Sequence, residues 1–250
     1  MNENLRNLNR IECIVTMACT GRCRHCSEGS HESFKDHLDG SAVENAIMQI
    51  CKQYKIDSLM VFGGEPLLYP DDVYRIFRAG LEAGIPQREM ITNGFFSKDE
   101  KRIEEVADML AKSGVNYIML SADSFHQETI PLEPVYYFAK CIRSMGINIE
   151  INPAWLVSEE DNNPYNVKTR EILKVFLDEG FMLANGNVIW PEGNARIYLS
   201  EYFDLSVPYE NPYDDDPADI RALSFEPDGT VLNMNFYDKN IIDILEGYKS

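Results

Sequence analysis

Short apolar runs alternate with segments of helical periodicity through the first three quarters of the chain. Six runs predict β-strands, at 11–17, 57–63, 88–93, 116–121, 147–155 and 186–190. Most of these runs are continuous rather than alternating, which is typical of strands in a parallel sheet that is covered on both faces. Helix-like segments between successive strands imply right-handed crossovers. The pattern therefore predicts an α/β fold, either an open doubly wound sheet or an incomplete barrel.

Capping residues mark where the predicted helices begin. Ser41 and Glu44 form a capping box before an amphipathic segment, and Ser97 and Glu100 form a second one. A helix near "PDDVYRIF" is expected to start with an aspartate as its N-cap. Weaker helical patterns cover roughly 132–145 and 167–179. Because a helix follows each strand, ligands are expected at the carboxyl ends of the strands.

The pattern changes near residue 199, where tyrosine, proline and aspartate become frequent. Farther on, "ALSFEPDGTVLNMN" predicts a hairpin that turns at Asp228 and Gly229, and "NIIDILEGY" predicts a short final helix. We therefore expect two units, an α/β unit at 1–198 and a C-terminal extension at 199–250.

The composition is that of an acidic globular protein. Of the 250 residues, 44% are hydrophobic and 26% are charged, and the formal net charge is -18. This excess of acid argues against nonspecific nucleic-acid binding, because phosphates are bound through lysine and arginine. No apolar run resembles a signal peptide or is long enough to span a membrane. We expect a cytoplasmic protein that binds neither nucleic acid nor membrane and keeps its thiols reduced.

Three of the six cysteines lie within eight residues, in "CTGRCRHC" directly after the first predicted strand. Gly21 allows the loop to fold tightly, so that Cys19, Cys23 and Cys26 could converge on one inorganic centre. A zinc site would need a fourth ligand, which the nearby His31 or His37 would supply. A 4Fe–4S cluster held by three thiolates would instead leave one iron open for a substrate or cofactor.

Small and polar residues follow the next three predicted strands. "FGGEPLL" follows the second strand, "ITNG" the third and "SADSFH" the fourth. Adjacent glycines allow a backbone to approach a ligand closely, and the polar side chains offer hydrogen-bond donors and acceptors. Each motif alone is compatible with an ordinary turn, but all of them fall at the edge where ligands are expected.

Taken in order, these motifs resemble those of the radical S-adenosylmethionine (radical SAM) enzymes. C-x3-C-x2-C follows the first strand, GGEP the second, TNG the third and S-x-D-x-F-H the fourth, and the match runs through residues 11–198. The resemblance implies a partial six-unit (β/α) barrel of the TIM type.

The resemblance also implies cofactors and their ligands. Cys19, Cys23 and Cys26 would hold one 4Fe–4S cluster, whose fourth iron is chelated by the methionyl group of SAM. The implied chemistry is reductive cleavage of SAM to a 5′-deoxyadenosyl radical, with the electron supplied by a reductant of the flavodoxin or ferredoxin type. The remaining positions implied to contact SAM are His25 near the adenine, the backbone of Gly63, Gly64 and Glu65 at the ammonium group, Ser121, Asp123 and Asn93 near the ribose or carboxylate, and the stretch from Val188 to Trp190 beside the adenine.

The C-terminal extension resembles the start of the SPASM or twitch extensions of radical SAM peptide-modifying enzymes. This chain has no cysteine after Cys141, so a single cluster is expected. The leading prediction is modification of a ribosomally made peptide or another natural product by crosslinking, epimerisation or rearrangement, with a separate escort protein for the peptide. Within the family, a glycyl-radical-enzyme activase or a small-molecule enzyme is the alternative. Outside it, the alternatives are an iron–sulfur electron carrier and a zinc-binding module.

Overall fold

The computed structural model describes residues 2–31, 35–209 and 216–250, which form eleven β-strands and seven α-helices. The strands are β1 (Arg10–Ile14), β2 (Ser58–Phe62), β3 (Gln87–Thr92), β4 (Tyr117–Ser121), β5 (Asn148–Asn152), β6 (Ala154–Trp155), β7 (Met182–Leu183), β8 (Asn187–Val188), β9 (Ala222–Phe225), β10 (Thr230–Val231) and β11 (Met234–Asn235). The helices are α1 (Gly40–Ile50), α2 (Pro70–Glu82), α3 (Glu100–Ser113), α4 (Leu132–Ser144), α5 (Pro164–Asp178), α6 (Gly193–Tyr198) and α7 (Ile241–Gly247).

One parallel sheet of seven strands organises the chain. Its order is β7-β5-β4-β3-β2-β1-β9, and every pair of neighbours in it is parallel. A helix follows each of the strands β1 to β4 before the next strand of the sheet begins. The predicted α/β class is confirmed, and the sheet is that of a partial barrel of the TIM type. No helix in the described ranges has the length and apolar character to cross a membrane.

The two faces of this sheet differ in polarity. Helices α1 to α4 pack side by side in one layer, and Ile11 and Cys13 of β1 belong to the core beneath them. Arg10 and Glu12 alternate with these two residues and therefore lie on the opposite face. Strands β4 and β5 show the same alternation between buried and partly exposed positions. The prediction of a sheet covered by apolar contacts on both faces is therefore wrong for these strands, because their inner face is polar.

Helices α1 and α3 do not begin at the serines of the predicted capping boxes. The N-cap of α1 is Asp39, whose Oδ1 accepts hydrogen bonds from the N–H of Ser41 at 2.8 Å and from Ser41 Oγ at 2.6 Å. Asp99 likewise caps α3, and the hydroxyl of Ser97 accepts the N–H of Asp99 at 3.0 Å. In both cases a carboxylate near the predicted serine accepts the unpaired N–H groups at the helix start.

Helix α2 also departs from its prediction, because no aspartate caps it. Its N-cap is Tyr69, which makes no side-chain capping bond, and Pro70 takes the first helical position. Proline is suited to that position, because the missing N–H would have no partner there. Asp71 and Asp72 fall instead in the first turn, where a negative charge interacts favourably with the helix dipole.

The last two predicted strands are interrupted in the structure. The run 147–155 divides at Pro153 into β5 and β6, because proline has no N–H to continue a ladder. The sixth run, 186–190, contains only β8, which pairs with β6, whereas the strand that pairs with β5 is β7, which lies before that run and was not predicted. Gly186 permits this offset, since a Cβ there would lie 2.3 Å from the carbonyl oxygen of Pro153.

The C-terminal segment adds a strand to the main sheet. Strand β9 pairs in parallel with β1, from Arg10 opposite Ala222 to Cys13 opposite Phe225. The chain does turn at Asp228 and Gly229, but the predicted hairpin between the flanking strands is wrong. The antiparallel pair is β10 with β11, joined through Leu232 and Asn233, which both have positive φ angles. The division into units at residue 199 stays a prediction.

Candidate functional site

The loop after β1 brings three cysteine thiols to the carboxyl edge of the sheet. Cys23 is buried, and Cys19 and Cys26 are half-buried. A Cβ on Gly21 would lie 3.2 Å from the sulfur of Cys23, which would have to shift slightly, and at an ordinary contact distance of 3.7 Å from the sulfur of Cys19. Burial raises the pKa of Cys19 to about 11 and raises the pKa values of Cys23 and Cys26. The thiols are therefore protonated in the metal-free protein, and a bound metal would displace their protons.

The sulfur atoms have polar neighbours. The N–H of Gly21 donates to the sulfur of Cys19 at 3.3 Å, and the side-chain amide of Asn93 approaches the same sulfur at 3.5 Å. Nε2 of His31 lies 3.1 Å from the sulfur of Cys26. Hydrogen bonds to sulfur are one of the ways in which a protein adjusts an iron–sulfur centre.

Two histidines were expected as possible fourth zinc ligands, and the structure separates them. His31 contacts Cys26, whereas His37 stacks on Tyr69 with a centroid distance of 3.9 Å and approaches Asp72 at 3.5 Å. The other cysteines lie elsewhere: Cys13 in the core, Cys51 at the end of α1 and Cys141 in α4. Three thiols with no fourth cysteine beside them fit a 4Fe–4S cluster with one iron left open.

The glycine pair after β2 lies against the cysteine loop. The N–H groups of Gly64 and Glu65 donate to the carbonyl oxygens of Thr16 and Ala18 at 2.7 and 2.8 Å. Added Cβ atoms on Gly63 and Gly64 would lie 2.4 and 2.3 Å from those same two oxygens. The glycines therefore serve a close contact between two segments of the chain, and not only the approach to a ligand that the sequence suggested. Their own carbonyl oxygens accept no backbone N–H from the described residues, so they remain available to an ammonium group.

The Glu65 side chain joins the ends of β2 and β3. It is fully buried, and its carboxylate accepts hydrogen bonds from the N–H of Leu67 at 2.9 Å, the hydroxyl of Thr92 at 2.8 and 2.9 Å, and the N–H of Asn93 at 2.9 Å. Burial raises the pKa of this carboxyl to about 7, although these hydrogen bonds act in the opposite direction. Asn93 in turn contacts Thr20 of the cysteine loop at 3.2 Å. Glu65 thus holds in place the segment that carries Asn93.

The segment after β4 is organised by Asp123, which is fully buried. Its carboxylate accepts the N–H groups of Phe125, His126 and Ala154 at 2.9–3.0 Å, and Nδ1 of His126 lies 2.8 Å away. Burial opposes ionisation, but the neighbouring His126 and these hydrogen bonds hold the pKa of Asp123 well below its usual range. Both of its oxygens are engaged within the protein. Ser121, at the end of β4, stands opposite Asn152 of β5.

His25 packs beneath the segment after β4. Its ring centroid lies 5.1 Å from that of Phe125 and 4.8 Å from that of His126. Burial, followed by the nearby His126, lowers the pKa of His25 to about 4, so the ring is neutral. Its Nδ1 atom is buried and has no hydrogen-bond partner among the described residues. An unpaired polar atom at this position fits a site that a ligand completes.

The segment from Val188 to Trp190 leads into a turn that holds the cysteine loop. Val188 pairs with Trp155 in the short ladder between β6 and β8, and half of its surface is exposed. The indole N–H of Trp190 donates to the carboxylate of Glu192 at 2.8 Å. The expected positions of these side chains beside an adenine stay predictions.

Asn194, in the stretch "WPEGNAR" after the sixth predicted strand, also contacts the cysteine loop. Its backbone N–H donates to the carbonyl of Cys26 at 2.8 Å, and its side-chain amide donates to the carbonyls of Cys23 and Gly29 at 3.1 Å each. Gly193 lies so close that a Cβ there would stand 2.1 Å from the carbonyl oxygen of Ser27. The sequence signal was the stretch "WPEGNAR", which resembles the "GRA" stretch after strand six of radical SAM peptide-modifying enzymes, with Asn194 where arginine often stands.

Comparison with known proteins agrees with this arrangement. The family model described as "Radical SAM superfamily" matches residues 13–150. A probable GTP 3′,8-cyclase of Saccharolobus islandicus (strain L.S.2.15 / Lassen #1) is 25% identical over 214 residues, which cover 80% of this chain and 63% of that protein. The chain therefore spans less than two thirds of the length of this curated relative.

Two solved structures share the fold. Hexahistidine-tagged anSMEcpe with bound AdoMet is 14% identical, with a TM-score of 0.58 over 92% of this chain and 72% of that chain. Streptococcus suis SuiB bound to the precursor peptide SuiA is 15% identical, with a TM-score of 0.54 over 94% of this chain and 61% of that chain. At these identities the similarity concerns the fold.

Proposed function

This chain belongs to the radical SAM superfamily, whose enzymes use a 4Fe–4S cluster and S-adenosylmethionine, and from that premise we propose that it abstracts hydrogen from a ribosomally made peptide or another natural product. The observation that carries this proposal is the convergence of three cysteine thiols with polar groups from the ends of β2, β3 and β4. All of these groups lie within the matched residues.

Cys19, Cys23 and Cys26 would hold the cluster. With both cofactors bound, the cluster would supply the single electron for reductive cleavage of SAM, which is the source of the family's 5′-deoxyadenosyl radical chemistry. The carbonyl oxygens of Gly63 and Gly64 are suited to the ammonium group of SAM. His25 and the stretch from Val188 to Trp190 would lie near its adenine, and Ser121, Asp123 and Asn93 near its ribose or carboxylate, with Asp123 acting chiefly by ordering the loop.

The protein must also keep a reactive primary carbon radical away from hydrogen donors other than the substrate, such as exposed peptide or buffer molecules. A second apolar cluster at this end of the sheet includes Phe125, Leu156 and Ile189, with Tyr165 packed against it. The rings of Phe125 and Tyr165 stack at 4.7 Å. This cluster lies next to His25 and provides an apolar wall on that side of the site.

The inner face of the sheet suits a polar substrate. Arg10 contacts Glu12 at 2.7 Å and Glu89 at 4.0 Å, and the hydroxyl of Tyr117 donates to Glu150 at 2.6 Å. Solvent reaches these groups, since Arg10 and Glu89 keep side-chain exposures of 32% and 17%. A peptide side chain with hydrogen-bonding groups would find partners here. The peptide-bound SuiB shares the fold and supports this choice of substrate class.

Other partners and substrates are possible for a member of this superfamily. The electron would come from a flavodoxin- or ferredoxin-type reductant, and a peptide would be brought by a separate escort protein. The sequence relatives named as probable GTP 3′,8-cyclases favour a small molecule as the second candidate. A glycyl-radical-enzyme activase is a third reading, which no contact in the site favours. An electron carrier or a zinc module would not need the groups at the ends of β2 to β4.

Transfer of deuterium from substrate to 5′-deoxyadenosine tests the proposal. The full chain, reconstituted with iron and sulfide and reduced under anaerobic conditions, would be incubated with SAM and fully deuterated peptides encoded near its gene. We expect 5′-deoxyadenosine that carries deuterium and a peptide of altered mass. If 5′-deoxyadenosine instead acquired deuterium from labelled GTP, the substrate would be a small molecule and not a peptide. Absence of 5′-deoxyadenosine with every substrate would overturn the proposed function.

A further inference from the structure

A group of potential metal ligands beside the cysteine loop differs from the three cysteines. Ligand atoms of Cys23, His25 and His126 all lie within 4.8 Å of one another. Among the described residues, these three side chains form a group whose donor atoms lie close enough to bind one metal ion. It shares one member, Cys23, with the cysteine motif. The question is whether the geometry of these three side chains suits a single metal ion.

The orientation of His126 is fixed in the way that is common for metal-binding histidines. Its Nδ1 atom lies 2.8 Å from the carboxylate of Asp123, so this nitrogen carries the proton and donates it. In the neutral tautomer with this donor, Nε2 keeps a lone pair, which is the form that binds a metal. Asp123 is itself immobilised by three backbone N–H groups. The buried carboxylate of Asp123 thus fixes the orientation of the His126 ring, as carboxylates that are hydrogen-bonded to metal-binding histidines do.

The other two side chains offer matching donors. Nδ1 of His25 is buried and has no hydrogen-bond partner among the described residues, so its ring can present a lone pair. Cys23 is buried with 7% exposure and supplies a thiolate when it loses its proton to solvent. The thiolate and the Asp123 carboxylate together balance the charge of a divalent cation. One sulfur and two imidazole nitrogens suit zinc, which is often bound by three protein ligands and a water.

We propose that Cys23, His25 and His126 form a second metal site, which takes up Zn²⁺ in the cluster-free protein and excludes the cluster because both need the sulfur of Cys23. A zinc ion with Zn–S of about 2.3 Å and Zn–N of about 2.0 Å holds its ligands roughly 3.5 Å apart. The observed limit of 4.8 Å is longer than this, so the three donor atoms would move closer together when the ion binds. This inference concerns the protein before cluster assembly and goes beyond the proposed function.

A variant that cannot hold the cluster isolates this site. In the full chain with Cys19→Ala and Cys26→Ala, only Cys23 of the motif remains. We expect one equivalent of Co²⁺, used as a spectroscopic substitute for zinc, to give a tetrahedral spectrum with a single sulfur-to-cobalt band. Zn²⁺ should displace it. Thermal unfolding followed by circular dichroism would confirm that the background variant is folded.

Further substitutions in that background identify the ligands. His126→Ala should abolish the tetrahedral spectrum, and Asp123→Asn should weaken binding by about 10- to 100-fold. His31→Ala is the matched control and should leave binding unchanged, although His31 contacts Cys26 in the wild type. No metal binding in the folded background, or binding that depends on His31 and not on His126, would overturn the assignment.

Competition between zinc and iron in the wild-type protein tests whether zinc binding excludes the cluster. Protein loaded with one equivalent of Zn²⁺ should incorporate less than half of the iron that metal-free protein takes up during reconstitution. Iron uptake to the same level, with the zinc retained, would refute mutual exclusion. Either outcome leaves the SAM chemistry to be judged separately, because that chemistry is measured on zinc-free, cluster-loaded protein.

Discussion

Glu65 provides a quantitative prediction, because burial and hydrogen bonding act on its carboxylate in opposite directions. Burial raises its pKa from 4.5 to about 7 in the folded protein. Between these pH values the folded chain binds the proton more tightly than the unfolded chain. The stability contributed by this group is therefore fully present below pH 4.5 and is lost as the pH rises to about 7. The pKa difference corresponds to about 3 kcal/mol of unfolding free energy.

Substitution by glutamine removes this titration while keeping the shape of the side chain. We expect the unfolding free energy of the wild type, relative to Glu65→Gln, to fall by about 3 kcal/mol between pH 4.5 and pH 8. In a chain of this size that change shifts the difference in Tm by about 6–12 °C. The amide also places an N–H donor opposite a group that donates, so the variant should be less stable than the wild type at low pH.

Urea unfolding of both proteins at several pH values, without metal and with a thiol reductant, measures the difference directly. Glu160→Gln serves as a control, because Glu160 is exposed and its substitution should give a difference that does not vary with pH. A flat difference for Glu65→Gln, or one that rises with pH, would refute the argument that burial dominates at this carboxylate.

Three further predictions concern the packing of the site. Gly64→Ala places a Cβ 2.3 Å from the carbonyl oxygen of Ala18 and should lower the free energy of unfolding by about 3 kcal/mol or more. The control Gly146→Ala, whose added Cβ meets no atom within 4 Å, should lower it by about 1 kcal/mol, so equal Tm values for the two variants would contradict the prediction. Asn194→Ala removes two hydrogen bonds to the cysteine loop, so loaded iron should be lost to a chelator about tenfold faster, and an unchanged rate would count against the contact. His25→Ala should weaken SAM binding by about 3- to 10-fold at unchanged iron content, as calorimetry would measure, and unaltered affinity would place the adenine elsewhere.

The sequence was sufficient for the features that depend on local pattern. Continuous apolar runs located β1 to β5, and the spacing of three cysteines located the loop after β1. The polar inner face was missed because "IECIVTM" and "INIEINPAW" were read as apolar runs, although each contains a glutamate, Glu12 and Glu150. Counting alternate positions from these glutamates would have revealed it.

The hydrophobic pattern and the spacing of motifs could not predict contacts between distant segments of the chain. The pairing of β9 with β1 and the hydrogen bonds of Asn194 to Cys23 and Gly29, 171 and 165 residues away, depend on how the sheet closes. Likewise, the motif GGEP suggested a ligand contact, whereas Gly63 and Gly64 allow the backbone to pack closely against Thr16 and Ala18. Periodicity and spacing carry no information about such long-range geometry.

Reductive cleavage of SAM is the reaction by which membership of the radical SAM superfamily would show itself in this protein. Reconstituted wild-type protein, Cys23→Ala and the matched control Cys141→Ala, whose thiol lies in α4 away from the site, would be reduced with dithionite in the presence of SAM. We expect about four irons per chain and 5′-deoxyadenosine from the wild type and from Cys141→Ala, with none from Cys23→Ala. Equal product from all three proteins, or a fully loaded wild type that leaves SAM intact, would contradict this expectation.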